Sequence, residues 1–370
     1  GSYTEVGSSF ERFITRPSYQ FNTASGSWNS TTIYPARNLK PEKTRSWELG
    51  INSKWLNNRL SFDLTYYRSN TINQTFTADL SISSGYSKAY IQSGSIRNEG
   101  IELALGYSDK WGAFSWDSNL TFSCNNNKIM KLTEGATNPM TGEPINKDNY
   151  DMGQLGNLDA RVKLYKGGSI GDVYATHRIK RDGNGHIFVS QDGDIEIESV
   201  DEFKLGSILP KANMGWSNNF SYKGINLGVT LTARFGGIAL SGTQSVLDQY
   251  GVSQKTADYR DAGGIAANYG YIDTEKYFDT VKGYAAYYTY SATNIRLAEL
   301  NLSYTLPKEW FRDKLRMTVG LVGKNLWMIY CKAPFDPEAT ASTQSNYYQS
   351  YDYFMQPTTR NIGFSVKLNF

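Results

Sequence analysis

Apolar and polar side chains alternate with a period of two along most of this chain, a pattern typical of β-strands with two unlike faces. In the final segment, NIGFSVKLNF, five apolar residues alternate with polar or small ones as far as Phe370. The same alternation predicts strands in SWELGINSKW, RLSFDLTYY, GIELALGY, SWDSNLTFSC, NMGWSNNFSY, INLGVTLTARF and LRMTVGL. With NIRLAELNLSY these segments make nine strands, and GSYTEVG adds a partial tenth.

One predicted strand, NIRLAELNLSY, contains a break in its alternation. Its apolar positions begin at Ile295 and Leu297 and resume one residue out of phase at Leu300 and Leu302. A β-bulge inserts one extra residue and returns the following side chains to their original face. We therefore expect a bulge near Ala298–Glu299.

The connections between these strands alternate in length. Four short ones lie near residues 57, 110, 223 and 309, and four long ones cover roughly 70–95, 130–210, 237–292 and 329–357. Outer-membrane barrels have this asymmetry, with short turns on the periplasmic side and long loops on the extracellular side. The pattern predicts that arrangement here.

The two strand faces also favour a membrane barrel over a large soluble β-sandwich or propeller, whose strands alternate as well. The face opposite the apolar one carries Asn, Ser, Thr, Asp and Arg, which suits a water-filled lumen better than a second packed sheet. Aromatic residues lie near the strand ends, as at membrane interfaces. These are Trp47, Trp55, Tyr66, Tyr107, Trp116, Trp216, Tyr222 and Tyr304.

The predicted fold class is therefore all-β, an antiparallel transmembrane β-barrel of which this chain supplies about ten strands. An open sheet leaves unpaired backbone groups at its edges, and these are costly in lipid. We expect residues 1–370 to be the C-terminal part of a larger barrel.

Composition narrows the function classes. The chain has a mean hydropathy of −0.50, 14% aromatic residues and a net charge of +3. It contains no apolar run of 18 residues, so no membrane-spanning helix is expected. The basic residues are scattered, which argues against a nucleic-acid partner.

An enzyme is not expected either. The sequence has no nucleophile-elbow, zinc-protease or P-loop motif. Membrane-barrel phospholipases and proteases mostly need a serine or acidic group beside a histidine. The two histidines, His177 and His186, both lie in the long middle connection.

The segment DGNGHIFVSQDGD raises the question of a calcium site, because Asp182, Asn184 and His186 hold alternate positions as in an EF-hand loop. However, Ile187 stands where that loop requires glycine, and Gly193 stands where it requires a bidentate glutamate. Two loop turns explain the segment better. We expect neither a metal nor a cofactor.

Several segments resemble the SusC-like, RagA-like class of TonB-dependent outer-membrane transporters. They are NLKPEKTRSWELGI, NNRLSFDLTYYRSNT, GSIRNEGIELAL, LGSILPKANMGWSNNFSYKGINLGVTL, NIRLAELNLSYTLPKEW, VGKNLW, FDPE and YFMQPTTRNIGFSVKLNF. They extend from about residue 40 to residue 370 and occur in the order found in the family. The set is specific, although no single segment would be.

The resemblance implies a longer receptor with a plug domain and a 22-stranded barrel in the outer membrane of a Gram-negative bacterium. The plug and the N-terminal strands, including the part that contacts TonB and through it ExbB and ExbD, are not in this chain. It also implies energised import of oligomeric nutrients, with glycan oligosaccharides favoured, beneath a lid formed by a SusD-like surface lipoprotein. An oligopeptide importer of the same family and a structural or adhesin-type barrel without transport remain as alternatives.

The resemblance also assigns a role to the last strand. A terminal aromatic residue on an alternating final strand is similar to the signal that the barrel-assembly machinery reads. The residues concerned are Phe364, Val366, Leu368 and Phe370. Phe370 would lie at the periplasmic interface.

Charged residues on the polar strand faces are candidates for the lumen wall. Asp63, Glu102 and Arg234 could contact substrate or pair with the plug. The simpler interpretation, which we favour, is a solvated wall or an internal salt bridge.

Tyrosines are dense in the last two long connections, which we expect to be exposed. A tyrosine presents a flat apolar face and a hydroxyl group, which suits stacking on sugar rings or contact with a peptide backbone. Packing within the loops is the alternative role. The candidates for contact with substrate or the lid are Tyr287, Tyr288, Tyr347, Tyr348, Tyr351 and Tyr353.

Overall fold

The computed structural model describes residues 1–9, 14–16, 19–30, 32–35, 39–79, 86–145, 148–312, 314–339 and 346–369. In chain order, the strands are β1 Ser2–Ser8, β2 Tyr19–Asn22, β3 Ser27–Ser30, β4 Ile33–Tyr34, β5 Glu42–Trp55, β6 Leu60–Asp79, β7 Lys88–Trp111, β8 Phe114–Lys131, β9 Asn149–Gln154, β10 Arg161–Tyr165, β11 Asp172–Ile179, β12 Ile197–Ser207, β13 Ala212–Tyr222, β14 Ile225–Phe235, β15 Ile238–Ser241, β16 Ile265–Ala267, β17 Gly270–Ile272, β18 Thr289–Ser291, β19 Asn294–Thr305, β20 Arg316–Cys331, β21 Tyr351–Asp352 and β22 Asn361–Asn369.

Three α-helices and three short 3-10 helices complete the described structure. The α-helices are α1 Gly242–Gln249, α2 Gln254–Asp261 and α3 Thr274–Val281, and the 3-10 helices are Ala285–Tyr287, Lys308–Phe311 and Asn346–Ser350. No helix among the described residues is long and apolar enough to span a membrane.

A single large antiparallel sheet organises the molecule. Its strands follow the order β1-β5-β6-β7-β8-β13-β14-β19-β20-β22, and the short strand β4 adds to it by pairing in parallel with β7. These ten neighbouring strands of the sheet correspond to the nine strands predicted from the sequence and to the partial strand predicted at GSYTEVG. Among the described residues, β1 and β22 are the two edges of the sheet.

The two faces of this sheet differ as the alternation predicts. Directly paired residues share a face, so Val229 lies beside Leu300, whereas Thr230 lies beside Glu299 on the opposite side. Among the described residues of the sheet, most of the exposed large apolar side chains lie on one face, and they include Leu49, Ile51, Ile101, Leu302, Leu321, Trp327, Ile362, Phe364, Val366 and Leu368. At the short-turn ends, Trp55, Trp111, Tyr222 and Tyr304 are exposed as well. This is the surface that a lipid-facing sheet with an aromatic girdle presents.

The predicted bulge is confirmed in β19. The pairing with β14 shifts between Thr230, which lies opposite Glu299, and Leu231, which lies opposite Leu297. The pairing with β20 shifts at the same place. Because Ala298 is left out of both ladders, Leu297 and Leu300 face lipid together while Arg296 and Glu299 face the polar side.

The lengths of the connections agree with those expected from the sequence, except for the first long connection. Strand β6 continues to Asp79 and β7 begins at Lys88, so most of the loop expected over roughly 70–95 is paired strand. For example, Thr77 lies opposite Tyr90. That expectation was wrong because this hairpin extends past its apolar belt with Thr, Asn and Gln, residues that resemble a loop by composition.

The other long connections fold into a compact unit, which we call the loop cap and define as residues 148–211, 236–293 and 346–360. It contains the sheet β12-β11-β10-β9, the sheet β18-β15-β21, the hairpin β16–β17 and the three helices. Its core includes the fully buried side chains of Leu158, Val162, Val173, Phe278 and Tyr288. The main hydrophobic core therefore lies in the loop cap, while the large sheet exposes its apolar face.

Candidate functional site

A cavity of about 570 Å³ lies against the polar face of the sheet. Asp63, Glu102, Asn213 and Thr232 line it from four different strands, and Glu338 reaches it from the last long connection. The lining mixes these carboxylate, amide and hydroxyl groups with apolar residues such as Leu103, Phe122 and Met214, so it can offer both hydrogen bonds and apolar contacts to a solute.

The pairing register explains why these side chains meet. Glu102 lies opposite Ser123, Ser123 opposite Asn213, and Asn213 opposite Arg234, so one polar row crosses four strands. Asp63 lies in the adjacent row and accepts a hydrogen bond from Asn52 Nδ2 at 2.7 Å. The residues expected in the lumen wall thus share the polar face, and their contact with substrate stays a prediction.

Arg234 is the β14 member of this row, and it forms a hydrogen bond to another part of the chain. Its Nη2 donates to the carbonyl oxygen of Ile208 at 2.9 Å, which ties β14 to the end of the preceding long connection. Its buried Nε has no hydrogen-bond partner among the described residues. Arg234 therefore already serves the junction between sheet and loop cap.

A buried ion pair that the sequence did not predict lies near this cavity. Arg296 contacts Asp336 with two nitrogens, at 2.8 and 3.1 Å, and contacts Glu338 at 3.0 Å. The side chains of Arg296 and Asp336 are only 11% and 8% exposed. Thr358 Oγ1 also donates to Asp336 at 2.9 Å.

This cluster fixes the last long connection to the wall of the sheet. Burial of Asp336 is the largest single influence and opposes its charge, but the hydrogen bonds from Arg296, the Glu338 backbone N–H and Thr358, together with the charge of Arg296, outweigh burial and lower the pKa of that carboxyl below its ordinary value. The available signals in the sequence were an arginine on the polar face of a strand and the acidic residues of FDPE. Neither signal indicates that the arginine and the acidic residues form an ion pair.

The structure corrects the exposure expected for two of the candidate tyrosines. Tyr288 is fully buried in the core of the loop cap, and Tyr351 is almost fully buried there. The Tyr351 hydroxyl donates to Asn157 Oδ1 at 2.5 Å and accepts from the Asn157 backbone N–H at 3.1 Å. These rings pack the loop cap internally because their neighbours surround them on all sides.

The other tyrosines lie closer to the surface. Tyr287 is half-buried and its hydroxyl accepts the backbone N–H of Ile179 at 2.9 Å. Tyr348 packs edge-on to Tyr351, and the exposed Tyr353 stacks on Tyr351 at 6.2 Å between ring centroids. Tyr347 belongs to the 3-10 helix Asn346–Ser350, and its side chain lies outside the described part.

The closing strand presents its apolar side chains outward. Phe364, Val366 and Leu368 are all exposed on β22, which pairs with β20. Phe370 lies outside the described residues. The role of this strand in recognition by the assembly machinery stays a prediction.

The histidines and the DGNG segment have contacts within the loop cap. His177 Nδ1 lies 3.1 Å from Asp159 Oδ2, and its ring stacks on Tyr284. The Asp182 Oδ1 atom accepts the backbone N–H groups of Asn184 and His186, both at 2.9 Å. That bonding is the geometry of a tight polar turn.

The sequence profile described as "TonB dependent receptor-like, beta-barrel" matches residues 2–194. This chain belongs to that family. Its members are outer-membrane proteins, and we conclude that the chain crosses the outer membrane with the strands of the large sheet. The lipid-facing surface and the polar cavity are therefore the two sides of a TonB-dependent receptor barrel wall.

Individual relatives agree with this assignment. The chain is 26% identical to TonB-dependent receptor P3 of Formosa agariphila over 355 residues, which cover 92% of this chain and 35% of the relative. It is 23% identical to TonB-dependent receptor SusC of Bacteroides thetaiotaomicron over 327 residues, covering 84% of this chain and 31% of SusC. The chain thus spans about a third of the length of these relatives.

The fold is similar to solved structures of the RagAB peptide importer. In the open-open state the TM-score is 0.71 at 17% identity, with 100% of this chain and 39% of that chain covered. A second RagAB structure gives a TM-score of 0.70 at 18% identity, with coverage of 100% and 40%. At this identity the likeness concerns the fold.

Proposed function

We propose that this chain forms part of an outer-membrane receptor that imports oligomeric nutrients, with energy supplied through TonB. The observation that carries the proposal is the asymmetry of the sheet. A polar wall lines a cavity on one side, lipid-facing residues cover the other, and a folded loop cap adjoins the extracellular end. A purely structural barrel would not need a polar cavity joined to an elaborate cap.

Glycan oligosaccharides are the substrates that we favour. Sugars present many hydroxyl groups and flat apolar faces, and both kinds of surface have partners here. The cavity offers Asn213, Thr232 and several carboxylates, and the loop cap exposes tyrosine rings such as Tyr353. The second candidate is an oligopeptide, because the fold-related RagAB is described as a peptide importer.

We also propose a SusD-like surface lipoprotein as the lid over the loop cap. Tyr353 and Phe354 are both exposed in the last long connection and pack edge to face, with ring centroids 5.2 Å apart. Exposed aromatic rings held in this way are typical of protein interfaces. The remaining partners are TonB with ExbB and ExbD, and the barrel-assembly machinery that recognises β22.

Growth of a bacterium lacking the gene for this receptor tests the proposal. We expect the deletion strain to lose growth on the cognate oligosaccharide while keeping growth on its monosaccharide. A strain without TonB should show the same defect. Loss of growth only on oligopeptides would favour the peptide candidate, and unchanged growth on both would favour a barrel that does not transport.

A further inference from the structure

A second cleft, of about 550 Å³, lies on the loop cap. The turn at residues 190–194 forms one wall, and the β16–β17 hairpin forms the other. The start of α3, with Asp273 and Lys276, also lines the cleft. Its lining is separate from that of the cavity on the barrel wall, since the two share none of the described residues.

Hydrogen bonds hold the two walls in a fixed relation. Asn268, in the turn of the hairpin, donates its backbone N–H to the oxygen of Ile187 at 2.9 Å, and its Oδ1 accepts the N–H of Val189 at 2.9 Å. Lys276 Nζ donates to Gly193 O at 2.7 Å and to Asp194 Oδ1 at 2.8 Å. The cleft is thus built before any ligand arrives, which lowers the entropic cost of binding.

Two tyrosine rings border this cleft without a structural role of their own. Tyr269, in the turn of the hairpin, is 77% exposed, and Tyr271, in β17, is 69% exposed. Neither ring has a hydrogen bond or an aromatic contact to the described residues, in contrast to Tyr277, which packs edge-on against Phe278. Clustered apolar surface that a fold leaves uncovered commonly marks a binding site.

The chemistry of the lining indicates the class of ligand. The rings of Tyr269 and Tyr271 offer faces for stacking, and the Ser190 hydroxyl and the Gln191 amide offer hydrogen bonds. Asp273 uses Oδ1 to cap α3, so its second oxygen is left to accept a further bond. Stacking faces beside neutral donors and acceptors match the alternating apolar and hydroxyl surfaces of a sugar chain.

The charged residues that line the cleft disfavour a negatively charged ligand. Among the described lining residues Lys276 is the only cation, and because it pairs with Asp194, they offer no free cation to an anionic saccharide or to a peptide carboxylate. We propose that this cleft is a surface binding site for a neutral oligosaccharide, additional to the cavity on the barrel wall. This proposal rests on the proposed function, because it takes the imported substrate to be a glycan. The loop cap would then bind the glycan before it reaches the cavity on the barrel wall.

Binding measurements on the purified full-length receptor test this site. The probes are maltoheptaose, xylohexaose and mannohexaose, with hexa-alanine as the peptide probe, and the method is isothermal titration calorimetry. The test variant is Tyr269→Ala/Tyr271→Ala, and the matched control is Tyr250→Ala, which removes a tyrosine that is 72% exposed elsewhere on the cap. All of these side chains are largely exposed, so the variants should fold, and heat-modifiable migration on gels verifies this.

We expect at least one oligosaccharide to bind the wild type and the control equally, and to bind the double variant about tenfold or more weakly. If the double variant binds the oligosaccharide as tightly as the wild type does, the cleft is not the binding site, while the proposed function remains intact. Binding of hexa-alanine alone, lost in the double variant, would overturn the saccharide assignment. If no oligosaccharide binds the wild type, the cleft proposal fails, and the growth test decides separately whether the proposed function fails with it.

Discussion

At the scale of single residues, Tyr351 joins segments that are distant in the sequence. Its hydroxyl bonds Asn157, its backbone pairs with Leu240, and its ring fills space beside Gly156. Gly156 has a φ of +60°, and a side chain there would collide with the Tyr351 ring. A residue that looked suited to ligand contact therefore holds the loop cap together.

Replacing Tyr351 by Ala should loosen the loop cap. Truncating a buried aromatic side chain typically costs about 3–5 kcal/mol, whereas Tyr351→Phe should lose only about 1 kcal/mol with the hydroxyl bonds. The measurement is the rate at which an added protease cleaves the cap of the receptor on whole cells. Tyr250→Ala, which truncates an exposed ring elsewhere on the cap, is the control and should be cleaved like the wild type. A Tyr351→Ala receptor as resistant as the wild type would contradict this role.

Neighbouring positions on β14 should differ in their tolerance of charge. Val229 faces lipid near the middle of the strand, so Val229→Arg should cost about 2–4 kcal/mol. Thr230→Arg should cost far less, because Thr230 faces the lumen opposite Glu299. Urea titration of heat-modifiable folded receptor in lipid vesicles measures both costs. Equal costs at the two positions would be incompatible with the lipid-facing assignment.

At the scale of elements, β19 is the strand that connects the wall to the last loop. The bulge at Ala298 keeps Arg296 on the lumen side, where it pairs with Asp336. The bulge is therefore needed for two features at once. A regular strand could not keep Leu297 and Leu300 on the lipid face while Arg296 and Glu299 stay on the lumen side.

Breaking this buried pair should release the last long connection. Arg296→Met removes the cation that pairs with the buried Asp336 carboxylate, and loss of one member of a buried pair costs about 3–5 kcal/mol. Lys282→Ala breaks the exposed pair with Asp279 and should cost at most about 1 kcal/mol. Protease cleavage of the connection at residues 332–360 distinguishes the two variants. Similar cleavage of both would show that the buried pair does not anchor the loop.

The same anchor should respond to acid in a defined direction. Burial alone would raise the pKa of Asp336, but the bonds from Arg296, the Glu338 backbone N–H and Thr358, together with the charge of Arg296, hold the folded pKa below its ordinary value of 3.8. Its stabilising contribution is therefore complete at pH above that ordinary value and is lost as the pH falls through the lower folded pKa. Cleavage by an acid-active protease should rise as the pH falls below about 3.8 in the wild type. Arg296→Met should lack this step, and a step of equal size in that variant would refute the assignment to Asp336.

At the scale of the whole molecule, the sheet is open. Strands β1 and β22 each pair on one side only among the described residues, and their side chains are exposed throughout. Unpaired backbone groups cannot be satisfied in lipid, so a spanning sheet must close. The wall described here needs further strands to become a barrel.

Residues 1–370 expressed alone should consequently fail to insert as a heat-modifiable monomer. The comparison is with the full-length receptor, refolded in the same detergent and run on the same unheated gel. We expect a compact fast-migrating band for the full-length receptor and none for the fragment. A compact band from the isolated fragment would mean that ten strands close on themselves.

The sequence by itself determined the strands, their facing and the bulge at Ala298. These features depend on a period of two that is written locally in residues such as Leu227, Val229 and Leu231, and one extra residue is visible as a change of phase. The membrane class followed for the same reason, since lipid selects one face of every strand.

Only the tertiary structure decided which loop residues are buried and which remain free. Tyr288 and Tyr351 are buried whereas Tyr269 and Tyr271 are exposed, although all four lie in equally tyrosine-rich connections. Their environments come from segments far away in the chain, as when Asn157 bonds Tyr351. Contacts of this kind depend on how distant segments pack together, and no local periodicity records that packing.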